Sequence, residues 1–172
     1  EVFSDNINEM YEQGKIINKW AKNVYVKIPI VNTKGKFTGK TIEKLSYENV
    51  KLNITAVYSF EQVKKIVNKL NKKTKTIISI FAGRMGDQLK NPIPIFRKSI
   101  SLTKKYKNID ILWASTRETY NYLEAKNLGC QIITIPPKII EQIKNSNKSY
   151  NQLTIDTVKG FYNDAKKSKF KI

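Results

Sequence analysis

Histidine is absent from this chain, and cysteine occurs once, at Cys130. The first absence excludes a histidine-based triad and nearly every zinc site; the second excludes an internal disulfide. No apolar run approaches the roughly 20 residues that span a bilayer, and no signal-peptide pattern opens the chain. A cytoplasmic protein without metal or other cofactor and without membrane contact is the expectation. Acidic residues are also few: 14 Asp and Glu stand against 32 Lys and Arg, for a formal charge of +18. Arginine is the rarer cation, limited to Arg84, Arg97 and Arg117. Cys130 precedes a strand and reads as a small buried residue.

Such a charge invites a nucleic-acid reading, because Lys/Arg surfaces bind phosphate backbones by releasing counterions. The lysines are nevertheless spread over every predicted helix, and no nucleic-acid module signature is present, so no specific nucleic-acid partner is expected. Small anionic substrates are attracted in either case. With 172 residues, 40% of them hydrophobic, the chain suits one domain with one core, 1–172, in which 151–172 form a C-terminal helical segment. It starts at Glu1, and Glu1-Val2-Phe3-Ser4 reads as the tail of a strand, so an N-terminal portion is expected to be missing.

Periodicity divides the rest into alternating elements. A helix is predicted from about Asn6 to Lys22, capped by Asp5 or Asn6. A strand over 23–30 follows, then a turn at Gly35 to Thr41 and a short helix from Thr41 to Asn49. That turn resembles a phosphate-binding P-loop, but three residues separate its glycines where the motif needs four. Strands are predicted over Val50–Val57, Thr76–Phe81, Ile109–Ala114 and Gln131–Ile135. Helices begin after Ser59, which has Gln62 in capping-box spacing, after Pro94, after Ser115 with Glu118 in the same spacing, and at Pro136–Pro137. The last helix runs from about Leu153 to Lys166.

Strict alternation of this kind gives a parallel sheet with right-handed crossovers. Lys27, Asn53, Thr55 and Ser79 fall within the strands and Ser115 directly after one. Polar residues are unwelcome in an open sheet buried on both faces. A (β/α) barrel places them at the strand ends that form its active site. Six strands are legible where a barrel has eight. Lys27 shares a strand face with Tyr25 and Pro29. A lysine amine in apolar surroundings can attack a carbonyl, the first step of Schiff-base catalysis.

Several segments carry a resemblance: Glu1 to Ser4, Val24 to Pro29 (Val-Tyr-Val-Lys-Ile-Pro), Leu52 to Ala56 (Leu-Asn-Ile-Thr-Ala), Phe81 to Arg84 (Phe-Ala-Gly-Arg) and Ala114 to Arg117 (Ala-Ser-Thr-Arg). Together and in this order they resemble the transaldolase family, in the small-subunit branch that holds transaldolases and fructose-6-phosphate aldolases. The resemblance implies a class I aldolase on a (β/α)8 TIM barrel, here lacking its first two βα units. It implies Lys27 as the Schiff-base lysine, and Glu1 and Thr55 as holders of the water through which protons move. Asn53 and Ser79 would contact the dihydroxyacetone unit, Phe81 would line the site, and Arg84, Ser115 and Arg117 would receive the phosphate of a sugar phosphate. A lysine-rich chain that places two of its three arginines there supports the phosphate reading, because a guanidinium offers a rigid fork to phosphate oxygens.

Glu1 and Phe81 resemble the transaldolase pattern, in which a dihydroxyacetone unit passes between sugar phosphates in the pentose phosphate pathway; the aldolases tend to carry glutamine and tyrosine. Ile80 stands where the family commonly has proline, and the family's aspartate on strand one and asparagine on strand two have no counterpart, so this chain is expected to have little or no activity as it stands. A homo-oligomer, possibly a decamer packed through the C-terminal helix, is also implied. The alternatives are another Schiff-base sugar-phosphate aldolase and a catalytically dead basic binding protein.

Overall fold

The computed structural model describes residues 1–169. Two compact units divide the chain after Pro136. The first holds α1 (Ile7–Asn18), β1 (Val26–Pro29), α2 (Gly39–Tyr47), β2 (Leu52–Val57), α3 (Phe60–Lys69), β3 (Thr76–Phe81), α4 (Ala82–Gly86), α5 (Ile93–Thr103), β4 (Ile109–Ala114), α6 (Tyr120–Leu128) and β5 (Ile132–Ile133). The second consists of α7 (Pro137–Lys144) and α8 (Tyr150–Ser168). No residue of α8 is buried. Among the described residues, no helix is long and apolar enough to cross a membrane.

All five strands are parallel, and their spatial order follows the chain, β1-β2-β3-β4-β5. A doubly wound sheet reverses its order at a switch point, whereas a (β/α) barrel adds each strand beside the last. The α/β fold is therefore that of a barrel wall, with five strands where a closed barrel has eight. The expected strand tail at Glu1–Ser4 is not a strand. A single ladder-like bond, from the Val2 amide to the Lys27 carbonyl at 3.1 Å, lays it along β1.

One sheet face is the core. Val26, Ile28, Leu52, Ile54, Ile78, Ile80, Ile111 and Trp113 are buried there with Ile42, Leu45, Val63, Ile66 and Phe96 from the helices. Trp113 stacks on Phe96 with ring centroids 4.5 Å apart. The period of two puts Lys27, Asn53, Ile77, Ser79, Phe81, Asp110 and Leu112 on the opposite face. In β2 this alternation fails: Ala56 has φ +59° and the register against β3 shifts between Ile54 and Val57. This bulge returns Val57 to the buried side, although simple alternation had grouped it with Asn53 and Thr55.

Side-chain caps mark the starts of α1, α3 and α8. Asn6 accepts the amides of Asn8 and Glu9 at the start of α1. Ser59 and Gln62 form the reciprocal capping box of α3. The turn after Gly35 leads into α2, which starts at Gly39, two residues before the expected Thr41. Thr41 Oγ1 donates to the Ile7 carbonyl at 2.8 Å, so the hydroxyl that a P-loop would turn to its ligand is used to dock α1.

Two helix expectations are corrected. Between β3 and the helix expected after Pro94, where the sequence pattern gives no helix, Ala82–Gly86 form the short helix α4. Ser115 does not cap α6: it lies at φ +66°, and the amides of Arg117 and Glu118 are received by the Asn121 side chain instead. A residue in the left-handed region directs its backbone away from a helix start, and Asn121, further along, supplies the oxygen.

Candidate active site

Lys27 projects from β1, with Asn53 of β2 as its register partner. Its Nζ lies 3.3 Å from Glu1 Oε2, with the Lys27 side chain 39% exposed. Tyr25 and Pro29 therefore do not enclose it as the strand pattern suggested, and its electrostatic company is the Glu1 carboxylate. An exposed pair of this kind is worth under about 1 kcal/mol and yields readily to a ligand. Beside it, Ser79 Oγ donates to Asn53 Oδ1 at 2.7 Å, tying β3 to β2. Thr55 is 3% exposed. Its Oγ1 has no hydrogen-bond partner.

Phe81 stands two residues beyond Ser79, about 6–7 Å further along the same face. Its ring is tilted against Tyr58 at 5.7 Å, and the guanidinium of the exposed Arg84 lies 5.3 Å from it. Past the end of β4, Arg117 grips Asp87: Nη2 donates to Oδ2 at 2.7 Å, and Nε reaches both carboxylate oxygens at 3.2 and 3.3 Å. Hydrogen bonding from Arg117 holds the Asp87 carboxyl below the usual carboxylate range; the Arg117 and Arg84 charges act the same way, and desolvation opposes them. Asp87 in turn raises Arg117.

These two strand-end loops touch through Gly83. A Cβ there would sit 1.6 Å from the Ser115 carbonyl oxygen and 2.8 Å from Arg117 Cγ, so only glycine lets the backbones approach this closely. Thr116 Oγ1 donates to the Thr134 carbonyl at 2.7 Å and fixes the other side of the same loop.

The nine candidate residues thus form two groups: Glu1, Lys27, Asn53, Thr55 and Ser79 across β1 to β3, and Phe81, Arg84, Ser115 and Arg117 at the C-terminal ends of β3 and β4. That is the end at which barrel sites are built. Gly83, Asp87 and Asn121 were not singled out as site residues in the sequence. An acid three residues after Arg84 in a lysine-rich chain was the one available signal for Asp87.

A groove of about 1230 Å³ is lined by none of the nine, running instead past Asp5, Glu9, Tyr11, Lys34, Lys40 and Lys69. It is wide and open and its charges are mixed, so the strand-end chemistry outweighs its volume as a guide to the site.

Over residues 1–172 the chain matches the family model described as Transaldolase/Fructose-6-phosphate aldolase. It is 32% identical over 145 residues to a "Probable transaldolase" of Caldicellulosiruptor saccharolyticus, an alignment covering 83% of this chain and 63% of that protein. A "Probable transaldolase" of Herpetosiphon aurantiacus is 28% identical over 137 residues, 79% of this chain and 58% of the relative. For the "Probable transaldolase" of a Thermoanaerobacter species the identity is 28% over 173 residues, 100% of this chain and 74% of the relative. The chain spans about three fifths of the length of the first two.

Proposed function

Because this chain belongs to the transaldolase/fructose-6-phosphate aldolase family, we propose that its strand-end face is the site of a transaldolase-type transfer through a Schiff base on Lys27. The observation that carries the proposal is the position of Lys27: on the polar face of β1, beside Asn53, with a carboxylate 3.3 Å from its Nζ.

The free amine of Lys27 adds to the carbonyl carbon of a ketose phosphate and water leaves, giving an iminium. The carbon–carbon bond between the α and β carbons, one removed from the iminium carbon, then breaks and its electron pair flows into the iminium to give an enamine. The proton of the departing hydroxyl passes to a water held by Glu1 and Thr55, and an aldose phosphate is released. The dihydroxyacetone enamine then adds to an acceptor aldehyde, and hydrolysis restores Lys27. On this reading sedoheptulose 7-phosphate and glyceraldehyde 3-phosphate give erythrose 4-phosphate and fructose 6-phosphate. Asn53 and Ser79 hold the dihydroxyacetone hydroxyls, and Arg84, Ser115 and Arg117 hold the phosphate. A carboxylate at Glu1 and a ring without hydroxyl at Phe81 favour transfer over free aldol cleavage. Thr55 Oγ1 supports the proton route, because a buried hydroxyl without a protein partner is suited to a water ligand.

Borohydride trapping of the protein with fructose 6-phosphate, followed by peptide mapping, tests the proposal. An adduct on the Lys27 peptide, lost in Lys27→Arg, is expected. An unmodified Lys27 under conditions that label a related transaldolase would refute it.

We also propose that α8 mediates self-association. Val158, Phe161 and Tyr162 are exposed along it, which is unusual for a helix without a covering partner. A monomeric mass in light scattering would refute this.

A further inference from the structure

We propose that Asp87 is a positioning residue that holds Arg117 beside Arg84 and so sets the preference for phosphorylated over non-phosphorylated substrate. This rests on the reading of Arg84, Ser115 and Arg117 as the phosphate-binding group.

Arg84 belongs to α4 and Arg117 to the loop after β4, and the Asp87 carboxylate feels the charge of both. Like charges at close range repel, and without an anion between them two exposed guanidinium groups splay into solvent. Asp87, at the C-terminal end of α4, offsets that repulsion. Its carboxylate accepts the Nε and Nη2 edge of Arg117. Arg84 acts on the same carboxylate.

A guanidinium has five donors in a fixed plane. With one edge occupied by Asp87, the end carrying Nη1 is the part of Arg117 left to meet another anion. The contact thus fixes both where Arg117 lies and which edge it presents. Gly83 reinforces this by pressing α4 against Ser115, so the third proposed phosphate ligand moves with the same pair of loops. The carboxylate also lowers the positive charge facing a phosphate, an effect of opposite sign. Orientation outweighs it here, because both side chains are about half exposed and solvent screens charge more than it disturbs a bidentate geometry.

The test measures the dissociation constants of fructose 6-phosphate and fructose by titration calorimetry for the wild-type chain and for Asp87→Ala, Asp87→Glu, Arg84→Gln and Arg117→Gln, with a thermal melt on each. The affinity ratio of the two sugars is the readout, since a general loss of structure lowers both affinities together. Arg117→Gln is expected to reduce the ratio about tenfold. Asp87→Ala should reduce it about threefold to fivefold, and Asp87→Glu should restore part of the loss. If the arginine variants reduce the ratio while Asp87→Ala leaves it unchanged or increases it, the positioning role is overturned and the phosphate reading stands. If neither arginine variant changes the ratio, the phosphate reading falls and takes this inference with it.

Discussion

Replacing Gly83 by alanine tests the contact that joins the two strand-end loops. The added Cβ would lie 1.6 Å from the Ser115 carbonyl oxygen, about 1.4 Å short of the 3.0 Å that Cβ contacts respect. The obstacle is backbone, which cannot swing aside as a side chain does, so α4 or the Ser115 loop has to shift. Overpacking costs about 1–3 kcal/mol, and a backbone obstacle this close puts it at the upper end, about 3 kcal/mol. Alanine in a helix returns up to about 1 kcal/mol, which leaves a net loss of roughly 2 kcal/mol. Gly14→Ala is the control, because its Cβ would meet the far end of the Leu45 side chain at 2.7 Å. The helical gain there should keep it within about 1 kcal/mol of wild type. Urea denaturation gives both stabilities, and titration with fructose 6-phosphate reports whether the displaced loop costs affinity. A Gly83→Ala protein within about 0.5 kcal/mol of wild type and unaltered in binding would refute the reasoning, since no rigid contact could then exist at that point.

Thr55→Val removes a buried hydroxyl that has no partner among the described residues; stability should be unchanged or higher by about 1 kcal/mol, and a clear destabilisation in urea would contradict this. The Asp87 carboxyl is held below its ordinary range by Arg117, so its contribution to stability is present above about pH 4 and fades as the pH falls through the depressed value. The stability difference between wild type and Asp87→Asn should therefore shrink from pH 7 to pH 3, and an equal difference at both would show that the ion pair contributes nothing. Cys130 is half-buried rather than buried as expected, and this desolvation pushes its thiol up to about 12, so a thiol reagent at pH 8 should modify it far more slowly in the native than in the unfolded protein; equal rates in the two states would count against this.

Much of the fold was legible because hydrophobic period and punctuation agreed. Thr76–Phe81 and Ile109–Ala114 are strands over the residues expected, each rich in β-branched and aromatic residues with a single polar residue inside it, Ser79 or Asp110. Ser59 with Gln62 announced α3 through two hydrogen bonds that both lie within four residues. The misses share a different origin. The bulge at Ala56 depends on how β2 meets β3, which no local pattern records. Ser115 has the look of a cap, yet Gly83, some thirty residues earlier, decides how its backbone runs. Lys27 was placed on the correct face, but its partner Glu1 comes from a segment whose only ladder-like tie to β1 is the Val2 amide. The pairing of Arg117 with Asp87 likewise joins residues 30 positions apart. Sequence reading reached the elements and the faces of the strands and missed contacts between loops.

The sequential strand order also bears on how the chain is made. Each strand from β2 to β5 pairs with the one synthesised just before it, so none of these described strands waits for a distant partner. A nascent chain emerging from the ribosome can dock each new βα unit on an edge that is already in place. The sheet then grows in the order of translation, and the residues gathered at its strand ends arrive in that order too: Lys27 first, the Asn53–Ser79 bond after it, and the Asp87–Arg117 pair last.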